Sequence, residues 1–495
     1  MSLGSKVVLA ASLVATLAWV IATIAARPLD GVEGDVFFEA DRIRTGLALY
    51  TNPIAGAHDY GPPPARYLVL YPPLWSAFLS LVPSAAATVA GRLIASAAWF
   101  GVIALVVIRA PRHRRPLVAA AAAFVAGSWV LALYGGNARP DAVAVLASGL
   151  ALERAARLGA ARASTTSPGQ PSIDVVSGAL FALAAWIKPN VLGAAPGAFL
   201  ACLLVVNGTW RARARSIVPG IAGVAVTSIA IGSVLHVVSK GAWIEHLLAS
   251  TGQPPNGALW LEQVATRGPF FLLPLVVTLA IGLRARRDPG AAIATGALLT
   301  SLSWSLLSLA KIGSATNYFM EPCFAMLVVL SRADLPRIGS APRLAVAALA
   351  FAQVTWNGVA SVSGACRGVP KAFERAQALA SVRTVCGASP NSVILADEPG
   401  LELALDGRIV STPFQTTHLA RRGRFPINLW LADIASPRVE CLVMQDDLLE
   451  RPASDDQLAH DRFSPEVRRA LATRFEHVTT QAGYWIYRAR DRADR

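Results

Sequence analysis

Acidic side chains are concentrated directly after the first hydrophobic segment of this chain. Asp30, Glu33, Asp35, Glu39 and Asp41 all lie within one dozen residues. A positioned carboxylate can take a proton from a hydroxyl group as that group attacks a carbon centre, or it can hold a divalent cation. Carboxylates at a membrane surface are costly unless water, a cation or a reaction uses them. We therefore expect this stretch to carry chemistry.

Asp35 and Glu33 are the candidates for the general base. One residue separates them, and two neighbouring glycines predict a turn that brings a carboxylate close to a substrate. The alternative for Asp35 is the N-cap of a helix that starts near residue 36. Glu33 and Asp35 are also candidates for holding a divalent metal. Glu39 and Asp41 are expected on a solvated helix face.

Three basic residues lie at or near the ends of hydrophobic segments, where they can bind a phosphate. Lys188 precedes Pro189, and a lysine there either reaches lipid headgroups or pairs with a ligand phosphate. Arg139 forms either an ion pair with Asp141 or a bidentate hydrogen-bonded pair with a phosphate. Lys311 opens a turn rich in glycine, serine, threonine and asparagine, whose N–H groups can hold an anion.

Further polar residues are expected to line the same substrate pocket. Glu321, one turn into its helix, should face protein rather than lipid. His246 beside Glu245 can be a metal ligand, although a lone histidine in a loop is more often exposed or hydrogen-bonded. The expected pocket residues are Asp141, Tyr71, Arg66, His246, Asn317, Tyr318 and Glu321.

The composition is that of a polytopic membrane protein, because 54% of the residues are hydrophobic and only 15% are charged. Eleven apolar segments approach or reach the length that spans a bilayer as a helix. They are residues 7–26, 88–108, 116–134, 140–158, 174–188, 190–207, 217–238, 268–283, 290–310, 317–331 and 343–363. With a cytoplasmic N-terminus, residues 27–86 form an outer loop that contains a half-inserted helix at 71–83. Residues 239–267 form a second, amphipathic outer loop.

The net charge of +14 does not indicate nucleic-acid binding in this context. The basic residues form short clusters between apolar runs, and the predicted topology places every strong cluster in the cytoplasm, as the positive-inside rule requires. We therefore predict a multi-pass protein of the plasma (inner) membrane and no nucleic-acid partner.

From about residue 365 the composition changes to that of a small α/β domain. The predicted strands are 392–396, 408–412, 441–444 and 485–488, and the predicted amphipathic helices are 370–385 and 464–475. The expected domains are 1–364 in the membrane and 365–495 on the extracytoplasmic face, since the number of spans is odd. No C-x-x-C motif occurs, and a disulfide between Cys366 and Cys386 is the pairing to test.

Five motifs of the membrane part carry a resemblance to a known class. They are AlaAspArgIleArgThrGlyLeuAlaLeuTyr (40–50), TyrProProLeu (71–74), AsnAlaArgProAsp (137–141), IleLysPro (187–189) and AsnTyrPheMetGlu (317–321). Together with the acidic first loop, the chain resembles the GT-C glycosyltransferases that use polyprenyl-phosphate sugars, such as the protein O-mannosyltransferases and the aminoarabinose transferases. It departs from them in two places: the acids read Glu-Gly-Asp rather than Asp-Glu, and Tyr71 stands where those relatives have His or Lys.

The resemblance implies a helical GT-C membrane bundle that transfers a sugar from a polyprenyl-phosphate donor to an extracytoplasmic hydroxyl on a glycan, lipid or protein. It assigns the base to Asp35 or Glu33 and leaves the residues that hold the donor phosphate open. Our own hypothesis is that Lys188, Arg139 and Lys311 bind that phosphate, and in-line attack predicts inversion. No cofactor is identified from the sequence, and the need for a divalent metal is left open. The alternatives are a transporter or flippase of a lipid-linked or hydrophobic solute, which should show inverted repeats, and a non-catalytic scaffold.

Overall fold

The computed structural model describes residues 3–50, 67–164, 172–206, 209–251, 255–334, 340–387, 392–410, 412–445, 447, 449 and 462–490. The described chain forms two compact units. Unit 1 comprises Met1–Ile21, Gly91–Val234 and Pro255–Gly368, and unit 2 comprises Ala22–Ala90, Leu235–Pro254 and Val369–Arg495.

The chain is mainly α-helical. The helices are α1 Leu3–Ala26, α2 Gly31–Arg44, α3 Leu74–Ser80, α4 Ser84–Arg109, α5 Arg115–Ala126, α6 Trp129–Gly135, α7 Pro140–Ser164, α8 Val175–Ile187, α9 Ala194–Val205, α10 Trp210–Ser239, α11 Ala242–Thr251, α12 Gly257–Arg284, α13 Pro289–Ser308, α14 Met320–Arg332, α15 Ser340–Cys386, α16 Pro399–Asp406, α17 Pro413–Arg421, α18 Ile427–Ala435 and α19 Pro465–Arg474. A 3-10 helix covers Thr316–Phe319, and four strands are β1 Val393–Ala396, β2 Val439–Met444, β3 Phe475–Gln481 and β4 Tyr484–Ala489.

Each of the eleven predicted hydrophobic segments contains helix. Within the described ranges, five helices are long and apolar enough to cross a membrane: α1, α4, α10, α12 and α13. The pair α5 and α6 makes a sixth if it is one span, and it is bent by 73°. The outer loop predicted at 239–267 instead contains α11 and the first turns of α12.

The prediction of one unbroken helix over 116–134 is wrong because the chain bends after Ala126. The carbonyl oxygen of Gly127 accepts hydrogen bonds from Ser12 Oγ (2.6 Å) and Thr16 Oγ1 (2.8 Å) of α1. A carbonyl that is bonded to a neighbouring helix in this way is directed out of its own helical ladder. The break therefore follows from packing between helices, which local hydrophobicity does not encode.

Glycines let helices of unit 1 approach each other at backbone distance. A Cβ atom on Gly197 of α9 would lie 1.9 Å from the carbonyl oxygen of Gly296 in α13, and one on Gly178 of α8 would lie 1.9 Å from that of Gly220 in α10. Small residues at such crossings are typical of membrane helix bundles, where close van der Waals packing replaces the hydrophobic effect.

The C-terminal part of unit 2 contains a four-stranded sheet in the order β1-β2-β4-β3. The pair β1–β2 is parallel, and the other two pairs are antiparallel. Alternate residues of β1 enter opposite cores: Val393 and Leu395 pack on one face, and Ile394 and Ala396 on the other. Burial on both faces explains why this strand is a continuous apolar run.

The predicted strands at 392–396, 441–444 and 485–488 are confirmed, as are the helices at 370–385 and 464–475. The strand predicted at 408–412 is wrong over its described residues. The N–H of Val410 donates to Glu402 Oε2 of α16 (3.1 Å), so a side chain satisfies a backbone group that a strand neighbour would otherwise bind. Strand β3 was not predicted, because its residues are mostly polar.

The structure pairs Cys386 with Cys441 and leaves Cys366 as an exposed free thiol. The predicted Cys366–Cys386 disulfide is therefore wrong. Both residues belong to the continuous helix α15, in which 20 residues of separation amount to about 30 Å. Cys441 lies on β2, and its Cα atom is 5.5 Å from that of Cys386.

Candidate functional site

The acidic stretch of unit 2 is a helix and not the predicted glycine turn. Helix α2 begins at Gly31, and Asp30 rather than Asp35 is its N-cap. Asp30 Oδ1 accepts from the N–H of Glu33 (2.8 Å), and Glu33 Oε2 accepts from the N–H of Asp30 (3.3 Å). This reciprocal capping box satisfies two N–H groups at the helix start. The alternative for Asp35, the N-cap of a helix starting near residue 36, is therefore excluded.

The two glycines of this stretch serve helix packing. A Cβ atom on Gly34 would lie 2.3 Å from the Cα atom of Gly400 at the start of α16. A Cβ atom on Gly31 would lie 2.2 Å from Glu398 Oε2. The first turns of α2 and α16 therefore touch through their backbones, and only glycine fits at Gly34 without movement.

Asp35 and Glu39 are both buried, and they lie one helical turn apart on the same side of α2. The prediction that Glu39 lies on a solvated face is wrong. Tyr67 Oη donates to Glu39 Oε1 (2.8 Å), and Ser76 Oγ donates to Glu39 Oε2 (2.5 Å). Asp41 is solvated as predicted, with a 58% exposed side chain and an ion pair to Arg44.

Burial dominates the electrostatics around Glu39. It raises the pKa of Glu39 to about 7, although the hydrogen bonds from Ser76 and Tyr67 act in the opposite direction. Burial also raises the pKa of Tyr67 well above its usual value, and the negative charges of Glu39 and Asp35 add to that rise. A carboxyl group that is half protonated near neutral pH thus lies one turn from Asp35.

His246 has a structural role in unit 2. Its Nδ1 accepts a hydrogen bond from the N–H of Val69 (3.1 Å), and its ring packs edge-on against Tyr50 at 5.3 Å. Because His246 is buried and Glu245 is exposed, the two do not form a pair of metal ligands. No group of three or more His, Cys, Asp or Glu residues suited to a metal occurs in the described part of the chain. Tyr71 is half-buried ahead of α3, and Arg66 lies outside the described residues.

Unit 1 brings three of the predicted site residues together around a fourth, Asp141. The Lys188 ammonium donates to Asp141 Oδ1, which also accepts from Asn317 Nδ2 (2.6 Å). Arg139 Nε donates to Asp141 Oδ2 (3.3 Å). The side chains of Asp141 and Lys188 are 2% and 0% exposed. Of the two alternatives for Arg139, the structure contains the ion pair with Asp141.

Helix ends explain why these charges are tolerated in an apolar setting. Asp141 lies in the first turn of α7, and Lys188 is the residue that ends α8. A carboxylate is stabilised at the positive end of a helix and an ammonium group at the negative end. With Arg139 included, the cluster carries one carboxylate and two cations, which leaves one net positive charge.

Arg267 of α12 was not predicted, because its neighbours suggested a solvated loop. Its guanidinium lies within electrostatic range of Tyr134 and Tyr318. The ring of Tyr134 in turn lies 4.9 Å from the Arg139 guanidinium. Nη1 of Arg267 is buried and has no hydrogen-bond acceptor within the described ranges. The signal in the sequence was an arginine at the edge of an apolar run.

Two predicted residues of unit 1 make contacts that are separate from those of Asp141. Lys311 follows α13 in a turn and forms an isolated antiparallel bridge with Pro255. Glu321 is buried, as predicted, and accepts hydrogen bonds from Ser148 Oγ (2.6 Å) and from the first N–H of α9, at Ala194 (3.2 Å). The carboxylate of Glu321 therefore caps α9.

Solved structures share the fold over the whole chain. The structure of ArnT from Cupriavidus metallidurans in the apo state is 14% identical in sequence and matches with a TM-score of 0.55. The match covers 98% of this chain and 98% of the ArnT chain. The structure of the same protein bound to undecaprenyl phosphate is 13% identical with a TM-score of 0.54 and the same coverage. The chain thus has the GT-C fold that the sequence resemblance predicted. No protein-family model matches the sequence, and no curated protein matches it.

Proposed function

We propose that this protein is a plasma-membrane glycosyltransferase that moves a sugar from a polyprenyl phosphate to an extracytoplasmic hydroxyl group. The observation that carries the proposal is the buried Asp141–Lys188–Arg139 cluster within a GT-C fold. ArnT, which has this fold, has been solved with undecaprenyl phosphate bound. The disulfide between Cys386 and Cys441 supports an extracytoplasmic location for residues 365–495, because disulfides persist in oxidising compartments.

Arg139 and Arg267 of unit 1 bind the donor phosphate in this proposal, and Lys188 supports them. Lys188 is fully enclosed, so its role is to fix Asp141 and to hold the charge of the cluster positive. Arg139, with a 13% exposed side chain, and Arg267, with its buried Nη1, present guanidinium groups to the phosphate. Guanidinium groups suit phosphate oxygens because they donate two parallel hydrogen bonds. Lys311 contributes a further positive charge.

Asp35 is the proposed base. Glu33 uses its carboxylate to close the capping box, and Glu39 uses both oxygens to accept from Tyr67 and Ser76. Asp35 takes the proton of the acceptor hydroxyl while that oxygen bonds to the anomeric carbon. The bond from the anomeric carbon to the phosphate oxygen breaks, and polyprenyl phosphate leaves with an additional negative charge. Arg139 and Arg267 stabilise that charge, and attack opposite the leaving group inverts the anomeric centre.

The test is a donor panel. Purified protein in liposomes is incubated with a set of polyprenyl-phosphate sugars and an extract of cell-envelope acceptors, and the release of free polyprenyl phosphate is measured by mass spectrometry. We expect release from one donor class and transfer of its sugar to a glycan, lipid or protein. If every donor stays intact while labelled lipid moves between leaflets, the protein is a flippase and the proposal is wrong.

A further inference from the structure

Glu39 is a buried titratable residue of α2 that the proposed reaction does not use. It connects α2 to residues far along the chain: Tyr67 is 28 positions away and Ser76 is 37 positions away. These two residues flank the Tyr-Pro-Pro-Leu turn (71–74), and Ser76 lies in α3. A side chain that binds both flanks of a loop fixes the position of that loop on the helix.

We propose that Glu39 is a positioning residue for Asp35, because it fastens residues 67–80 to the helix that carries the base. This inference rests on the proposed function. The geometry supports it in two ways. Asp35 precedes Glu39 by four residues, so both project from one side of α2. The hydroxyl of Tyr67 that donates to Glu39 also lies 3.4 Å from the carbonyl oxygen of Asp35.

Packing around Tyr67 shows that the fastened segment is ordered by more than one contact. The ring of Tyr67 packs edge-on against Phe38 of α2 at 5.0 Å. Phe38, Tyr67 and Val69 belong to one buried apolar cluster with Ile409. Glu39 therefore supplies the polar connection within an otherwise apolar contact, where a hydrogen bond is strong and a missing partner is costly.

The contact between Glu39 and residues 67–80 should weaken as the pH rises. A buried carboxyl group binds its proton more tightly than a solvated one, so its ionisation favours states in which the segment opens and water reaches Glu39. The other groups near this position are Tyr67, Tyr50, Asp35, Arg42, His246 and, at the first turns of α2, Glu398. Burial raises the pKa of Tyr50 and of Tyr67, so both tyrosines stay neutral through the neutral range.

Hydrogen–deuterium exchange of residues 67–80 tests the fastening without any substrate. After correction for the intrinsic exchange rate, we expect protection in the wild type to fall several-fold, and by about tenfold at most, from pH 6 to pH 8. Glu39→Gln keeps a hydrogen-bonding side chain of the same size but does not ionise, so its protection should stay constant. Peptides of α19 in the same unit serve as the internal reference. Equal pH dependence in the wild type and Glu39→Gln would overturn the proposal and would point to His246 instead.

Activity with the donor found in the panel tests the positioning role. Glu39→Gln should keep kcat within about threefold of the wild type at pH 6, whereas Glu39→Ala should lower kcat by about tenfold or more with little change in KM for the donor. Tyr67→Phe and Ser76→Ala remove one hydrogen bond each and provide milder variants if Glu39→Ala does not fold. The matched control is Asp41→Asn, an exposed acid on the same helix.

The outcomes separate the two proposals. If Glu39→Ala and the two hydroxyl variants all keep wild-type kcat and wild-type protection, Glu39 positions nothing and the inference is wrong. If the wild type consumes no donor, the proposed function is wrong, and so is the proposed role of Glu39 in catalysis. The exchange experiment then still decides whether Glu39 fastens residues 67–80.

Discussion

The ammonium group of Lys188 donates a hydrogen bond to the carboxylate of Asp141, which lies 47 residues earlier, and both side chains are enclosed by protein. The pair connects the end of α8 to the start of α7. Asn317 and Arg139 complete the coordination of the carboxylate. The hydrogen bonds to the Asp141 carboxylate thus come from three separate parts of the chain.

Removing one member of this pair should destabilise the protein more than removing both. Asp141→Asn or Lys188→Met leaves a buried charge without its partner, which costs on the order of 3–5 kcal/mol. The double variant should recover much of that loss. Thermal unfolding in detergent measures the coupling, and Asp41→Asn, which breaks an exposed pair worth about 1 kcal/mol or less, is the control. Strictly additive losses would contradict a coupled pair.

Replacing Glu39 with glutamine should change how stability depends on pH. The pKa of Glu39 is raised in the folded protein from its ordinary value of 4.5 to about 7 because the carboxyl group is buried. The stability that its proton contributes is therefore fully present below pH 4.5 and is lost as the pH rises towards 7. We expect Glu39→Gln to raise Tm relative to the wild type at pH 8 but not at pH 5. The difference should correspond to on the order of 2–3 kcal/mol.

The same experiment has a clear contrary outcome. If Glu39 were ionised and solvated, Glu39→Gln would shift Tm equally at both pH values. Tm measured from pH 5 to pH 8 in one detergent distinguishes the two cases.

A methyl group at Gly34 should displace α2 from α16. The added Cβ atom would lie 2.3 Å from Gly400 Cα and 2.4 Å from its nitrogen, and backbone atoms cannot yield as a flexible side chain would. We expect Gly34→Ala to lower Tm and to reduce sugar transfer by about tenfold or more, since overpacking costs about 1–3 kcal/mol and moves the helix that carries Asp35. Gly101→Ala in α4 is the control, because nothing lies within 4 Å of its added carbon. Normal activity in Gly34→Ala would show that this contact does not fix α2.

Non-reducing peptide mapping should recover Cys386 linked to Cys441, with Cys366 alkylated as a free thiol. The bond closes a loop over a sequence separation of 55, so removing it should lower the free energy of unfolding by about 4 kcal/mol. Cys441→Ser should therefore lower Tm, and Cys366→Ser should not. A Cys366–Cys386 peptide would contradict the continuous helix α15.

Much of the fold follows from local sequence. Long apolar runs identify the membrane helices, and continuous apolar strands such as Val393–Ala396 identify the buried part of the sheet. Features that depend on distant residues were not predictable. Glu39 looks solvated until Tyr67 and Ser76 are known to lie beside it, and the break after Ala126 depends on hydroxyl groups of α1.

The candidate site was likewise predictable only where its residues carried a local signal in the sequence. Arg139, Asp141 and Lys188 stood out because charges at the ends of apolar helices are rare and need partners. Asn317 was expected nearby, and its amide indeed binds Asp141. Arg267 was missed because it was assigned to the predicted outer loop 239–267, although it lies at the edge of the apolar run 268–283. The capping box of Asp30 and Glu33 became visible only when the start of α2 was known.

In the proposed reaction, Asp35 deprotonates an acceptor hydroxyl while polyprenyl phosphate departs. The most direct test measures polyprenyl-phosphate release by mass spectrometry in a single turnover with wild type, Asp35→Asn and Asp41→Asn. We predict that Asp35→Asn binds the donor normally but releases polyprenyl phosphate at about 1% of the wild-type rate or slower. Asp41→Asn should match the wild type. Release by Asp35→Asn at the wild-type rate would contradict this account.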